Sequence, residues 1–404
     1  MKAESWDVLI VGAGAAGMMC AIEAGRRGRR VLIVDHARAP GEKIRISGGG
    51  RCNFTNLGTE PGNFLGENPR FATSALRRYS QHDFIKLVDR HGIAWHEKTL
   101  GQLFCNDSAR QIIRMLTDEM RDAEVTLSLS AAVASAARTA GGFSAALSDG
   151  SRVQTTSLVV ASGGKSIPKM GATGRAYDLA SQFGLRVTET RPGLVPLTFE
   201  TGLLEQLKPL AGVAVDVVVH ADGASSSARR ERSRFKEAML FTHRGLSGPA
   251  ILQISSYWRE GEAITIDMGP GVDVFERLKA ARVENGKQAV HTALGHIVPC
   301  RLAETVAARE GAVGKLAELS DQALRRLEAA INAWTVKPVG SEGYRTAEVT
   351  LGGIDTAALD QQTMQATAIP GLYFIGEAVD VTGWLGGYNF QWAWSSGWVA
   401  GQSC

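Results

Sequence analysis

The chain has 404 residues, which is long enough for two or three domains with a large core. It carries 44 Lys and Arg against 41 Asp and Glu, and this near-neutral balance gives no reason to expect nucleic acid or an acidic membrane as a partner. No Cys-x-x-Cys pair occurs among its five cysteines, a spacing that argues against a structural zinc or a disulfide framework. No metal site is therefore expected.

The first predicted element is an apolar strand that ends in Gly12-x-Gly14-x-x-Gly17 and continues as an apolar helix. This order is typical of the unit that binds the pyrophosphate of a dinucleotide. Gly12 permits a sharp turn, Gly14 lets the backbone approach the phosphates, and Gly17 lets the helix lie close to the strand. The start of the helix offers free N–H groups and a partial positive charge.

A second apolar strand ends in Asp35, 18 residues after Gly17. This spacing suits a carboxylate that accepts hydrogen bonds from the ribose hydroxyls. An acid at this position disfavours a 2′-phosphate, so the sequence favours FAD or NAD over NADP. Residues 8–22 are too few and too rich in glycine to span a bilayer, and their removal as a signal peptide would remove the nucleotide motif, so we expect a cytoplasmic protein.

Residues 38–56 are predicted as a loop with three consecutive glycines, Gly48 to Gly50. Core packing does not explain this pattern, and a backbone that wraps closely around a ligand does. Lys43 or Arg51 can meet phosphate charge, and Asn53 or Asn56 can offer amide hydrogen bonds. A solvated flexible loop is the alternative interpretation.

The middle of the chain alternates between helical and extended patterns. Helices are predicted over 68–79, 81–91, 108–121 and 179–185, and strands over 125–129, 132–137, 142–147, 152–160, 213–220, 238–242 and 263–268. Residues 274–334 have a helical pattern that is broken at 285–286, 298–299 and 311–314. The strand over 152–160 runs into Ala161-Ser162-Gly163-Gly164, where we expect the chain to return to the nucleotide-binding sheet.

A polar tip over 222–234 contains the basic cluster Arg229 to Arg234. An acid interrupts the cluster and no aromatic residue is interleaved with it. A solvated hairpin is therefore favoured over an RNA-binding patch.

The C-terminal part is rich in glycine again. A short buried strand ends in Gly376-Glu377, with Asp380 close by, and the glycines of 383–387 lead into a helix of small residues. If a flavin is bound, the N–H groups at about 387–389 are expected to face the pyrimidine edge of its ring, where negative charge accumulates on reduction.

Together, these motifs are similar to those of the BaiN/YhiN-like flavoproteins, also described as the aminoacetone-oxidase family of FAD-binding enzymes. The most distinctive matches are Ser47-Gly-Gly-Gly-Arg-Cys-Asn53 and Thr242-His-Arg-Gly-Leu-Ser-Gly-Pro249. The resemblance implies an α/β fold: a Rossmann-like FAD-binding domain of the glutathione-reductase type built from both chain ends, with an inserted β-barrel-like domain that carries a helical subdomain. Asp35 departs from the family pattern, in which Glu is common.

The domain boundaries that follow are 1–192 with 350–404 for FAD binding, 193–270 with 336–349 for the β-rich insert, and 271–335 for the helical subdomain. The candidate catalytic residues are His243, Cys52 and Tyr388. The candidate cofactor contacts are Gly12, Ala13, Gly14, Ala15, Ala16, Gly17, Asp35, His36, Lys43, Ser47, Gly48, Gly49, Gly50, Arg51, Cys52, Asn53, Ala132, Val133, Ala161, Ser162, Gly163, Gly376, Glu377, Asp380, Gly386, Gly387, Tyr388, Asn389 and Gln391.

We therefore predict an FAD-dependent oxidoreductase that transfers hydride between the flavin and a small organic substrate, as the family's members imply. NADH, NADPH or oxygen is the other redox partner, and no second nucleotide-binding unit is found between residues 100 and 340, so a nicotinamide would dock transiently. The alternative is a flavin-binding RNA-modifying or partner-binding protein without small-molecule turnover. No nucleic acid and no membrane partner are expected, and the oligomeric state stays open.

Overall fold

The structure is a computed structural model that describes residues 4–221 and 233–404. Most of the predicted basic tip over 222–234 lies outside the described residues; Ser233 is buried and Arg234 is exposed. The chain divides into two compact units, of which the first comprises residues 1–191 with 349–404 and the second comprises 192–348.

The elements are numbered along the chain. The helices are α1 (Ala15–Arg26), α2 (Glu42–Gly50), α3 (Ala72–Arg78), α4 (Gln81–Arg90), α5 (Arg110–Asp122), α6 (Arg175–Gln182), α7 (Thr201–Leu207), α8 (Pro249–Ser255), α9 (Val274–Asn285), α10 (Val290–Leu294), α11 (Cys300–Arg309), α12 (Asp321–Asn332) and α13 (Tyr388–Gly401). The strands are β1 (Glu4–Val11), β2 (Val31–Asp35), β3 (Asn53–Asn56), β4 (Phe64–Leu65), β5 (Trp95–Glu97), β6 (Gln102–Cys105), β7 (Thr126–Leu129), β8 (Val133–Thr139), β9 (Gly142–Leu147), β10 (Arg152–Val160), β11 (Arg191–Gly193), β12 (Leu197–Thr198), β13 (Ala214–Ala221), β14 (Arg234–Thr242), β15 (Gly245–Ser247), β16 (Ile264–Asp267), β17 (Trp334–Val336), β18 (Gly340–Ser341), β19 (Val349–Leu351), β20 (Leu372–Phe374) and β21 (Thr382–Gly383).

The first unit is built on a seven-stranded sheet with the order β7-β2-β1-β10-β9-β8, in which β20 also pairs with β10. Strands β7, β2, β1, β10 and β20 are parallel; β9 runs antiparallel to β10, and β8 runs antiparallel to β9. Val8 to Val11 of β1 are all buried, because helices cover both faces of a parallel sheet. Helix α13 packs against α1, where Gln402 Nε2 donates a hydrogen bond to Glu23 Oε2 at 2.7 Å.

One stretch differs from the sequence prediction. The predicted loop over 38–56 contains a helix, α2, and a strand, β3. The helical conformation stops at Ser47, whose ψ is 147°, and Gly48 and Gly49 follow with positive φ. Residues 42–46 are helical, and the glycines that suggested a loop form the end of this short helix.

The second unit is built on a seven-stranded antiparallel sheet with the order β17-β16-β13-β14-β15-β12-β18. Helix α8 packs on β14, and α9 packs on α12 in the helical part of the unit. A cavity of about 540 Å³ lies inside the unit and is lined by Phe241, Met268, Leu302 and Trp334 among others. Among the helices that the structure describes, none is long and apolar enough to cross a membrane.

Candidate functional site

The carboxyl ends of three strands meet at one edge of the first sheet. Parallel pairing sets Val11 beside Val160, and Val160 beside Phe374. Gly12 leaves β1 with a φ of 110°, and a Cβ on it would lie 2.6 Å from the Ala161 carbonyl oxygen. A Cβ on Gly17 would overlap the Gly12 carbonyl oxygen. Both positions therefore need glycine for close packing of strand, turn and helix.

The space in front of this turn fits the phosphates of a dinucleotide. A Cβ on Gly14 would meet no atom of the described residues within 4 Å, and across those same residues no side chain caps the start of α1. Ser162 follows β10 at the same edge, and its Oγ is buried with no hydrogen-bond partner within residues 4–221 and 233–404. An uncapped helix start, an open space and an unpaired buried hydroxyl together suit a bound anion.

Asp35, the predicted ribose contact, ends β2 beside this turn. Its Oδ2 accepts a hydrogen bond from Ala13 N at 2.7 Å, and its Oδ1 accepts one from Ala37 N at 2.8 Å. The carboxylate therefore already fixes the glycine-rich turn. A carboxylate has about four lone-pair sites, so it retains capacity for a sugar hydroxyl.

The predicted contacts Ala132 and Val133 follow a residue that bonds the backbone of Asp35. Ala131 N donates to the Asp35 carbonyl oxygen at 2.9 Å, and Ala132 N donates to Ser148 Oγ at 3.0 Å. Val133 begins β8 and pairs with Leu147 of β9. His36 is exposed directly after β2.

Lys43, predicted to meet phosphate charge, is held by a carboxylate instead. Its Nζ donates to Glu377 Oε2 at 2.6 Å and to Ser166 Oγ at 2.7 Å. Ser166 Oγ also donates to Glu377 Oε1 at 2.8 Å, and Thr350 N donates to the same oxygen at 3.1 Å. The network ties α2 to the segments after β10 and β20, so the candidate residues 43, 161–163 and 376–377 come together.

The loop of Ser47 to Asn53 has an unusual backbone. Gly48, Gly49 and Gly50 all have positive φ, and Cys52 does so as well, with a φ of 53°. Cys52 is fully buried, and burial raises the pKa of its thiol well above the ordinary value. The thiol therefore stays protonated at neutral pH.

The start of α13 is held by amide side chains. Asn56 Nδ2 donates to the carbonyl oxygens of Gly386, at 2.9 Å, and Leu100, at 3.0 Å. Thr55 Oγ1 donates to Gln391 Oε1 at 2.7 Å. Gly387, with a φ of 97°, precedes the first helical residue, and no described side chain caps this helix start. A helix start without a side-chain cap favours negative charge beside it.

Asn389 and Tyr388 are the first residues of α13. Asn389 closes its own turn, because its Oδ1 accepts from Gly383 N at 2.8 Å and its Nδ2 donates to Gly383 O at 2.9 Å. The Tyr388 ring is 8% exposed and makes edge-to-face contacts with Phe64 and Trp384. Its backbone is thus at the helix start while its ring packs between aromatic neighbours.

Two further residues were missed as site residues by the sequence interpretation. Ser396 Oγ accepts a hydrogen bond from Gly376 N at 3.0 Å, and Trp392 Nε1 donates to Gly376 O at 2.9 Å. Both lie on α13, and their spacing of four residues, which places them on one helix face, was the available signal. Asp380 is buried, and its Oδ2 accepts from Glu67 N at 2.9 Å.

His243 lies apart in the chain, in the turn between β14 and β15 of the second unit, and is exposed. The other candidate residues all belong to the first unit. The structure therefore groups the predicted cofactor contacts at the edge formed by β1, β2, β10 and β20 and around the α13 start, and it does not group His243 with them within that unit.

Comparisons with known proteins identify relatives across the whole chain. The family model described as HI0933-like protein Rossmann domain matches residues 6–403. A relative from Escherichia coli (strain K12), named ribosomal RNA dihydrouridine synthase, is 51% identical over 99% of this chain and 98% of its own. A relative of the same name from Haemophilus influenzae is 42% identical over 98% and 97%. A 3-dehydro-bile acid delta(4,6)-reductase from Clostridium scindens is 28% identical over 98% of each.

These findings confirm the resemblance to the BaiN-like flavoproteins and the Rossmann-type α/β fold. They also correct two predictions, because the names of the first two relatives point to RNA modification. The predicted small organic substrate is wrong, and so is the expectation that no nucleic acid is involved. The charge argument failed because a net charge of +3 averages over 404 residues and says nothing about local surfaces.

Proposed function

Because this chain belongs to the HI0933-like family of FAD-binding Rossmann proteins, we propose that it is a flavin-dependent dihydrouridine synthase that acts on ribosomal RNA. The observation that carries the proposal is the 51% identity, over 99% of the chain, to the Escherichia coli protein of that name. The nucleotide-binding edge of the first unit supports it, since Gly14, the α1 start and the unpaired Ser162 hydroxyl fit a dinucleotide.

The reaction reduces the C5–C6 double bond of uracil, so that one hydride and one proton are added. When bound and reduced, FAD would supply the hydride. The chain would supply binding and orientation: Gly14 and the α1 start would hold the pyrophosphate, and Asp35 would hold the adenosine ribose. The uncapped start of α13 would stabilise negative charge on the reduced flavin ring.

The proton must come from a group that can touch the substrate base. Cys52 is fully buried, so a base reaches its thiol only if the loop of Ser47 to Asn53 opens. Tyr388 begins the helix whose start faces the flavin in this proposal. The Tyr388 ring is also buried, so Tyr388 and Cys52 both need a local opening to reach the base, and His243 is the exposed candidate for the proton donor.

The electron donor in this proposal is NADH or NADPH. Reduction of uracil consumes hydride at every turnover, so an external reductant must restore the reduced flavin. The sequence contains no second nucleotide-binding unit between residues 100 and 340, and the donor therefore docks transiently at the flavin. A cytoplasmic location fits a ribosomal substrate and stays a prediction.

The test uses purified holoprotein, in-vitro-transcribed ribosomal RNA, and NADH or NADPH under anaerobic conditions. We expect dihydrouridine in the nuclease digest by mass spectrometry, with a mass two hydrogens above uridine. Asp35→Ala, which loses the ribose contact, is the matched control and should give little product. A yellow protein that oxidises NAD(P)H but leaves every RNA fragment unmodified contradicts the proposal.

A further inference from the structure

Leu100 is in an unfavourable position both by its backbone and by its side chain. It lies in the turn of Thr99–Gly101 with a φ of 59° and a ψ of 35°, a left-handed conformation. This conformation is unfavourable for a leucine, because it brings the Cβ too close to the following carbonyl oxygen. Its side chain is 64% exposed, so packing contributes little free energy to offset the strained backbone.

The turn is held in place by hydrogen bonds from several sides. Leu57 N donates to Gly101 O at 2.9 Å, and Lys98 N donates to Gln102 O at 2.8 Å, which closes the hairpin of β5 and β6. The buried Asn56 amide bonds the Leu100 carbonyl and also the Gly386 carbonyl. The surrounding structure thus enforces the strained conformation and fixes Leu100 beside the start of α13.

The residues on the same hairpin suit a polynucleotide. His96 is exposed and stacks on Phe104, with ring centroids 6.1 Å apart and an interplanar angle of 18°. Lys98 is exposed, and its Nζ lies 5.5 Å from the centre of the same ring. Pairing of β5 with β6 brings His96 opposite Phe104. Phe104 itself is buried, so the surface consists of the exposed His96 ring and the Lys98 ammonium, which both lie over the Phe104 ring.

We propose that Leu100 is an apolar wedge that enters the RNA and fills the gap left by the target uridine, with Lys98 and His96 beside it on the polynucleotide. This inference rests on the proposed function. An enzyme that acts on a base must take it out of the stack or bind it unstacked. Proteins that part bases insert apolar side chains, leucine among them, between base steps. A strained, exposed leucine tied to the proposed flavin-facing helix start suits that role.

The test compares Leu100→Gly with wild type. Glycine accepts the left-handed conformation, so the variant loses the wedge and keeps the turn, and its melting temperature should equal or exceed that of wild type. Leu100→Met, which keeps apolar bulk, is the matched control. The substrates are one ribosomal RNA fragment as a folded stem-loop and the same target sequence as an unstructured oligonucleotide.

We expect kcat/KM of Leu100→Gly to fall about tenfold or more on the folded fragment, because the base must then leave the stack without the wedge. On the unstructured oligonucleotide it should stay within about twofold of wild type. Leu100→Met should stay close to wild type on both. With 2-aminopurine beside the target uridine, wild-type binding should raise the fluorescence of the folded fragment, and Leu100→Gly should bind with a smaller rise.

The proposed wedge role of Leu100 would be contradicted if Leu100→Gly had the same kcat/KM as wild type on both RNAs. An equal loss of kcat/KM on both RNAs would contradict it as well. So would an equal fluorescence rise. If wild type makes no dihydrouridine from either RNA, the proposed function fails, and the fluorescence comparison still decides whether Leu100 enters the RNA.

Discussion

The two glycine-led helix starts of the first unit, at Gly14 before α1 and at Gly387 before α13, are held in different ways. The first is formed by backbone packing, in which Gly12 and Gly17 allow strand, turn and helix to touch. The second is fixed by side-chain amides from distant parts of the chain, above all Asn56. Backbone packing within a dozen residues requires glycines at fixed spacing, which the sequence shows. A side-chain hydrogen bond between residues 330 positions apart leaves no such pattern.

The largest expected effect is at the first helix start. In Gly17→Ala the new Cβ overlaps the Gly12 carbonyl oxygen, so the helix must move away from the turn. We expect a loss of stability of about 1–3 kcal/mol and purification with little FAD. Thermal unfolding and the ratio of flavin to protein absorbance measure both.

Gly14→Ala is the matched comparison, because its Cβ meets no described atom within 4 Å. We expect the melting temperature of the apoprotein to be unchanged while FAD affinity falls, since the Cβ occupies space meant for the pyrophosphate. Apoprotein that binds FAD as tightly as wild type would show that the phosphates do not pass over Gly14.

The second helix start is tested by Asn56→Ala. Asn56 is 1% exposed, bonds two carbonyls and accepts a hydrogen bond from Gly58 N at 2.8 Å. Leaving these groups unpaired should cost about 1–3 kcal/mol in the free energy of unfolding, with FAD still bound at the α1 end. Asn56→Asp keeps the acceptor for Gly58 N but sets a buried carboxylate oxygen against two carbonyl oxygens, so it should cost at least as much as Asn56→Ala.

A smaller effect is expected for Asp35→Asn, at the edge of the first helix start. The amide can accept from Ala13 N or Ala37 N but loses the negative charge that strengthens both bonds. We expect FAD affinity of the apoprotein to fall about tenfold, from flavin fluorescence titration. Asp35→Glu should retain more of the affinity; if both variants match wild type, the ribose does not reach this carboxylate.

The smallest effect concerns Asp380, close to the second helix start. Burial raises the pKa of its carboxyl above the ordinary value. At a pH between the pKa of the unfolded chain and the higher pKa of the native protein, the native protein therefore holds a proton that the unfolded chain has released. Its contribution to stability therefore falls as the pH rises through this range. The stability of Asp380→Asn relative to wild type should accordingly rise with pH from pH 4, in urea unfolding; a constant difference would contradict this.

Much of the fold could be predicted from the sequence, since β9 and β10 begin and end where alternation predicted and the strand–turn–helix at Gly12 follows from its glycines. The cradle for FAD could be predicted for the same reason. Short helix α2 could not, because its glycines resemble a loop. Neither could the contacts of Lys43 with Glu377, nor those of Gly376 with α13, because each depends on pairing across hundreds of residues.

The proposed RNA-contacting surface has no sequence signature for a related reason. His96 and Lys98 do not form a stripe of alternating basic and aromatic residues with Phe104 in the sequence. The β5–β6 hairpin brings both side chains over the buried Phe104 ring. A search by sequence spacing finds neighbours on one strand and overlooks neighbours across a hairpin.

Strand β10 pairs with β9 in its first half and with β20 in its second half, while β1 lies along its other side. The second half of β10, which leads into the nucleotide-binding edge of the sheet, can complete its pairing only with residues 372–374. These residues are synthesised more than 200 residues after β10. Contacts so distant in sequence form slowly, so we expect the N-terminal strands to assemble first and FAD capture to be a late step of folding. Refolding followed at once by backbone and by flavin signals should show the flavin phase last.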